Sequence, residues 1–211
     1  MAIRKRVGGG GESGAVNAAT RKSGRLHPRS SEIRESLGGR SIVLVGLMGC
    51  GKSSIGRRLA SKLGLPFVDA DDEIERAAHK TIDEIFRDHG EAYFREGERR
   101  VIHRLLGEGP RVLATGGGAY VDAETRAAIA EAGISVWLRA KLSVLMERVR
   151  RRDNRPLLKH PDPEAKMREL IDVRYPIYGR ADLMVDSRDV AHDVIVSEII
   201  GKIERFVRPP A

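Results

Sequence analysis

The 211-residue sequence predicts an α/β fold with a parallel sheet covered on both faces. Three observations carry that prediction. Short, continuous apolar runs alternate with helix-period segments along the chain. Two of those runs end directly in glycine-rich turns. The first turn, Gly46-Leu-Met-Gly-Cys-Gly51-Lys52-Ser53, has the spacing G-x-x-x-x-G-K-[ST] of a phosphate-binding loop between a strand and a helix.

The elements follow in order from Ser41. SIVLVG (41–46) is a short run, continuously apolar from Ile42 to Val45 and ending in glycine, as expected of a buried parallel strand. In 52–63, Ile55, Leu59 and Leu63 share one helical face, and Gly64 suits a C-terminal cap. PFVDAD (66–71) reads as a second strand with acids at its carboxyl end. Helical patterns cover 72–78, 81–88 and 91–107. RVLATGGG (111–118) is strand then glycine, and Asp122 caps a helix to about 131. ISVWL (134–138) is a strand and 141–151 a basic helix. RDNRPLLKHP (152–161) is charged, contains proline and has no period, so it reads as a loop. A helix over 163–175, a strand over ADLMVD (181–186) and a closing helix over 190–206 complete the domain.

Composition excludes several classes. Apolar residues make up 41% and charged residues 32%, which fits a soluble globular chain. No apolar run approaches the roughly 20 residues of a membrane helix, and the N-terminus lacks a secretory apolar block. A single cysteine, Cys50, rules out an intrachain disulfide and fits a reducing compartment, so a cytoplasmic location is expected. The net charge of +8 resides mostly in residues 1–40, which hold nine basic and three acidic residues, against 29 and 27 in the rest. That stretch is rich in Gly, Ser and Arg, with at most a short helix around Ser31–Leu37. It is read as a solvated, disordered basic tail ahead of a domain at 41–211. It carries no aromatic residue to stack on bases, and no nucleic-acid partner is expected. With no long apolar heptad pattern, the expected state is a monomer.

The phosphate-binding loop points to a nucleoside triphosphate. Its glycines, Gly49 and Gly51 with Cys50 between them, let backbone N–H groups turn inward around phosphate oxygens. The helix start at Lys52, Ser53 and Ser54 adds unpaired donors. Lys52 would reach the β- and γ-phosphates and the Ser53 hydroxyl would ligate Mg²⁺. Cys50 has no nearby histidine in sequence and is read as a small loop residue, not a nucleophile.

Ligands of a parallel sheet bind beyond the carboxyl ends of its strands. Three groups fall there. Asp69 and Asp71 would face the same side if the strand stayed extended, one supporting the metal and one accepting a hydroxyl proton. Gly116, Gly117 and Gly118 allow close approach of backbone to a ligand. Arg95, near Glu98 on the 91–107 helix, could fork onto a carboxylate. The basic, irregular stretch around Arg155 suits a lid of about 150–162 that excludes water from phosphoryl transfer.

The motifs GLMGCGKSSIGRRLA (46–60), FVDADDEIE (67–75), IDEIFRDHGEAYFREGE (82–98), TGGGA (115–119), RPLL (155–158) and RYPIY with ADLMVD (174–186) occur in an order and spacing that resemble shikimate kinases. The likeness covers about residues 41–205. It implies a nucleoside-monophosphate-kinase-like fold of three layers with sheet order 2-3-1-4-5. The implied activity is Mg²⁺-dependent transfer of the ATP γ-phosphate to the 3-hydroxyl of shikimate, on the route to chorismate and the aromatic amino acids. The resemblance assigns phosphate to Lys52 and the loop amides, and Mg²⁺ to Ser53 with Asp69 acting through its water shell. Asp71 would hold the acceptor hydroxyls and serve as base. Arg95 and Arg174 would clamp the carboxylate, with Gly117 adding a backbone contact. Arg155 would be the lid arginine, Arg148 would lie against the adenine and Arg188 near it. The tail and Thr115 depart from the family pattern without touching these positions. A sugar-acid kinase and a regulatory nucleotide-binding domain are the rival readings. Shikimate's one carboxylate and three hydroxyls match two arginines, an aspartate and backbone amides best.

Overall fold

The computed structural model describes residues 26–151 and 160–208. Its centre is β1 (Ser41–Val45), buried at all five positions. Burial of successive residues requires cover on both faces, because alternate side chains point to opposite sides. β1 pairs in parallel with β3 (Val112–Ala114) and with β4 (Gly133–Arg139). β2 (Phe67–Asp69) adds to β3, and β5 (Leu183–Asp186) adds to β4. The order is β2-β3-β1-β4-β5, as the resemblance implied. The outer strands β2 and β5 are only partly covered, which is the ordinary fate of edges.

The helices are α1 (Ser30–Leu37), α2 (Lys52–Leu63), α3 (Ala70–Ala78), α4 (Ile82–Gly107), α5 (Ala123–Ala132), α6 (Leu142–Arg150), α7 (Pro163–Tyr178) and α8 (His192–Val207). A short 3₁₀ turn spans Ala119–Val121. The apolar positions expected to face the core of α2 do so: Ile55, Leu59 and Leu63 are fully buried. Gly64 caps the helix with φ 65°. Asp122 caps α5 by accepting from the Thr125 amide, and Thr81 with Glu84 forms a capping box at the start of α4. α4 is two helical stretches joined at Gly90 (φ 82°, ψ 176°), which matches the separate patterns at 81–88 and 91–107. Among the described residues no helix is long and apolar enough to cross a membrane.

Two expectations need correction. The domain does not begin at Ser41. α1 precedes it and buries Ile33 and Leu37, packing against α2 and α8. Arg34 ties it further by donating to the Leu63 carbonyl at 2.7 Å. The basic charge of the surrounding segment masked an amphipathic turn whose apolar residues recur at a spacing of four. The second correction concerns β2, which stops at Asp69. Ala70 and Asp71 already belong to α3, so Asp69 and Asp71 are not placed by strand alternation.

Candidate functional site

All the carboxyl ends of the strands open on one edge of the sheet. The loop after β1 wraps there under tight steric limits. Gly46 has φ 136°, and a Cβ at this position would meet the Leu138 carbonyl oxygen at 2.8 Å. Only glycine satisfies both constraints. Gly51 (φ 96°) then hands the chain to α2. The amides at the start of α2 have no carbonyl four residues earlier within the helix, and the residues that carry them line a cavity of about 320 Å³. Gly49, Gly51, Lys52, Ser53, Ser54 and Arg148 all line it. Lys52 Nζ donates to the carbonyls of Gly46 (2.7 Å) and Leu47 (3.1 Å), which holds the ammonium inside the loop.

Of the expected nucleotide contacts, two fall elsewhere. Cys50 is buried, and its amide donates to the Leu47 carbonyl at 3.2 Å, so it serves the loop's own turn. Arg188 pairs with Glu198 and does not line this cavity. Its carbonyl instead accepts from Arg148 Nη2 at 2.6 Å. Arg148 also donates to Ser187 Oγ at 2.8 Å, and Ser187 donates to the Cys50 carbonyl at 2.8 Å. A buried serine thus links the loop to the cavity wall. Sequence reasoning missed Ser187, and it missed Val190 and His192, which bring the start of α8 to the same cavity. No local motif announces them, because the crossover from β5 to α8 sets their position. Burial, with Arg58 and Arg148 nearby, lowers the His192 pKa, which favours a neutral imidazole. Arg155 and most of the expected lid lie outside the described residues.

Asp69 ends β2 and caps α3, accepting from the Asp71 amide at 3.2 Å. Its other oxygen accepts from Ser53 Oγ at 2.6 Å. This hydroxyl–carboxylate pair at the mouth of the phosphate loop is a hard-oxygen donor set that suits Mg²⁺. Among the described residues no group of three or more His, Cys, Asp or Glu could hold a metal by itself.

A second cavity, of about 510 Å³, adjoins the first across the phosphate loop. Met48, Asp71, Arg95, Arg174 and the three glycines 116–118 line it. The Asp71 carboxylate stands so close to the glycine turn that a Cβ on Gly116 would meet it at 2.9 Å. Gly118 is equally constrained: a Cβ there would fall 2.6 Å from Arg95 Nη1. Arg95 bonds Glu98 at 2.7 Å and Glu91 at 3.1 Å. Arg174 donates to the Gly117 carbonyl at 3.0 Å. Glu98 is 3% exposed, and its Oε1 has no partner among the described residues. Burial pushes its carboxyl above the usual range, while Arg95 pulls it back. Burial, with Asp69 close by, also raises the carboxyl of Asp72 at the cavity rim. Two arginines line the cavity, and so do five carboxylates: Asp71, Asp72, Glu75, Asp83 and Glu98.

Known proteins resemble this chain over most of its length. A family model described as shikimate kinase matches residues 48–204. The shikimate kinase of Brucella canis is 57% identical over 183 residues, covering 87% of this chain and 92% of that protein. The shikimate kinase of Bradyrhizobium diazoefficiens is 57% identical over 187 residues, covering 86% and 90%. Among solved structures, shikimate kinase from Acinetobacter baumannii in complex with shikimate is 38% identical with a TM-score of 0.78. It covers 83% of this chain and 97% of its own. With the phosphate loop, the sheet order and the paired cavities already in place, the match over the whole folded region completes the argument: this chain belongs to the shikimate kinase family.

Proposed function

We propose that the protein transfers the γ-phosphoryl group of ATP to the 3-hydroxyl of shikimate, yielding shikimate 3-phosphate and ADP. One observation carries the reading. Two arginines and the Asp71 carboxylate line a single cavity beside a phosphate-binding loop. A compact acceptor that carries both a carboxylate and hydroxyls fits that lining. The Acinetobacter baumannii relative described above was solved in complex with shikimate.

In this reading the loop amides and Lys52 take the phosphates. The ammonium exchanges its bonds to two loop carbonyls for charge-assisted bonds to phosphate oxygens. Ser53 and Asp69 would hold Mg²⁺, which when bound neutralises phosphate charge. Arg95 and Arg174 orient the acceptor through its carboxylate. Asp71 receives the proton of the attacking hydroxyl as the new O–P bond forms and the bond from Pγ to the ADP oxygen breaks. Orientation and electrostatic stabilisation supply most of the acceleration in a loose phosphoryl-transfer transition state.

The test is ADP release in a coupled assay with Mg²⁺ and ATP. Shikimate should support turnover, and gluconate, an open-chain acid with more hydroxyls, should support at least 10²-fold less kcat/KM, a difference of about 2.7 kcal/mol. Equal use of both acids would overturn the acceptor assignment.

A further inference from the structure

Tyr178 ends α7 behind the glycine turn of the acceptor cavity, without lining that cavity itself. Its side chain is 0% exposed. The ring lies among Trp137, Tyr175 and Tyr120, with centroids 6.1, 6.3 and 6.4 Å away. Its hydroxyl donates to the Gly117 carbonyl. Arg174, one helical turn earlier, donates from Nη1 to the same oxygen at 3.0 Å. The Arg174 charge also bears on the Tyr178 hydroxyl, opposing the upward push of burial on its pKa. A cation, a phenol and a glycine peptide thus meet at one point.

We propose that Tyr178 is a positioning residue of the acceptor site, whose hydroxyl fixes the Gly117 peptide and the Arg174 guanidinium where the acceptor's carboxylate end arrives. This inference rests on the reading of the cavity as the acceptor site. Three consecutive glycines carry the largest conformational freedom a chain can have. Within the turn, Ala119 and Val121 donate to the carbonyls of Gly116 and Gly118, and Gly117 is held from outside, by α7. The arginine side chain also carries the rotamer entropy of a long, flexible stem. Anchoring both before substrate arrives lowers the ordering cost of binding. Burial raises the Tyr178 pKa, so the hydroxyl stays a donor throughout the working pH range. The nucleotide cavity shares no lining residue with the acceptor cavity, so the effect should be confined to one substrate.

Tyr178→Phe keeps the ring and removes only the hydroxyl. The shikimate KM should rise roughly five- to thirtyfold, while the ATP KM stays within about twofold. A KM does not depend on the fraction of enzyme that is folded, so partial instability cannot imitate this split. Tyr120→Phe is the control. It removes the hydroxyl bonded to Ser135 at 3.4 Å in the same aromatic cluster. It should shift the melting temperature without moving the shikimate KM. A double-mutant cycle with Arg174→Lys tests the route of action. If Tyr178 acts through Arg174, adding Tyr178→Phe to Arg174→Lys should raise the shikimate KM less than about threefold further. An unchanged shikimate KM in Tyr178→Phe, an equal rise for both substrates, or full additivity in the cycle would overturn the proposal. If Arg95→Ala also leaves the shikimate KM unchanged, the acceptor-site reading fails first. If Arg95→Ala raises it and Tyr178→Phe does not, only the positioning role fails.

Discussion

Arg95 and Asp71 line one cavity, and their kinetic signatures should differ with the acceptor groups they meet. A carboxylate keeps its charge throughout phosphoryl transfer, so the bond from Arg95 is equally strong in the ground and transition states. Arg95→Ala should therefore chiefly raise the shikimate KM. The Arg95 side chain is 34% exposed, which weakens the pair below a fully desolvated one. The expected loss is about 1–3 kcal/mol, or roughly five- to 150-fold in kcat/KM. Glu98 and Glu91 already hold the guanidinium, so little of that loss arises from ordering the side chain. Asp71 meets a hydroxyl whose proton leaves during the reaction. Asp71→Asn keeps the shape but not the basicity, and kcat should fall on the order of 10²-fold with little change in KM. Measuring both parameters at saturating ATP decides it. A change confined to KM in the asparagine variant would make Asp71 a positioning group rather than the base.

At the scale of single elements, α1 changes what truncation should do. Every residue of the two cavities lies after Gly46, and α1 lines neither. A chain beginning at Arg40 should thus keep its shikimate KM within about threefold. It should lose stability, however, because Ile33 and Leu37 are 2% and 0% exposed against α2 and α8. Burial of two such side chains is worth roughly 3–6 kcal/mol. Its loss should appear as a lower urea midpoint. A chain beginning at Leu26 should show no such loss, and equal midpoints for the two truncated chains would refute a structural role for α1. The case also shows where sequence was readable. The long apolar runs and the glycines that end them placed four of five strand ends well, since parallel strands buried on both faces leave an unbroken apolar signal. Asp71 was misplaced onto a strand because three residues of β2 are too few to show where alternation ends. Ser187 and Tyr178 act through partners more than 50 residues away in the chain. No spacing rule within a short window reports such contacts.

Across the whole molecule, the phosphate loop divides two cavities that share no lining residue. Gly49 and the stretch from Gly51 to Ser54 line one, and Met48 lines the other. That arrangement makes ligand-dependent stability separable. A ligand that binds only the folded state stabilises it by about 2.7 kcal/mol at one hundred times its Kd. For a domain of this size each kcal/mol moves the melting temperature by about 2–4 °C, so saturating Mg²⁺–ATP or shikimate should each raise it by roughly 5–10 °C. Lys52→Met removes the ammonium that holds Gly46 and Leu47 and is expected to meet the phosphates. It should abolish turnover and most of the nucleotide-dependent shift. The shikimate-dependent shift should survive, because Lys52 lines only the nucleotide cavity. Loss of both shifts would mean that the lysine organises the loop from which Met48 reaches the acceptor. Retention of both, with near-normal turnover, would remove the phosphate loop from the mechanism. The selective outcome is the one the geometry requires, since the loop carbonyls released by Lys52 are backbone groups held in place by the glycine turns and by Ser187 on Cys50.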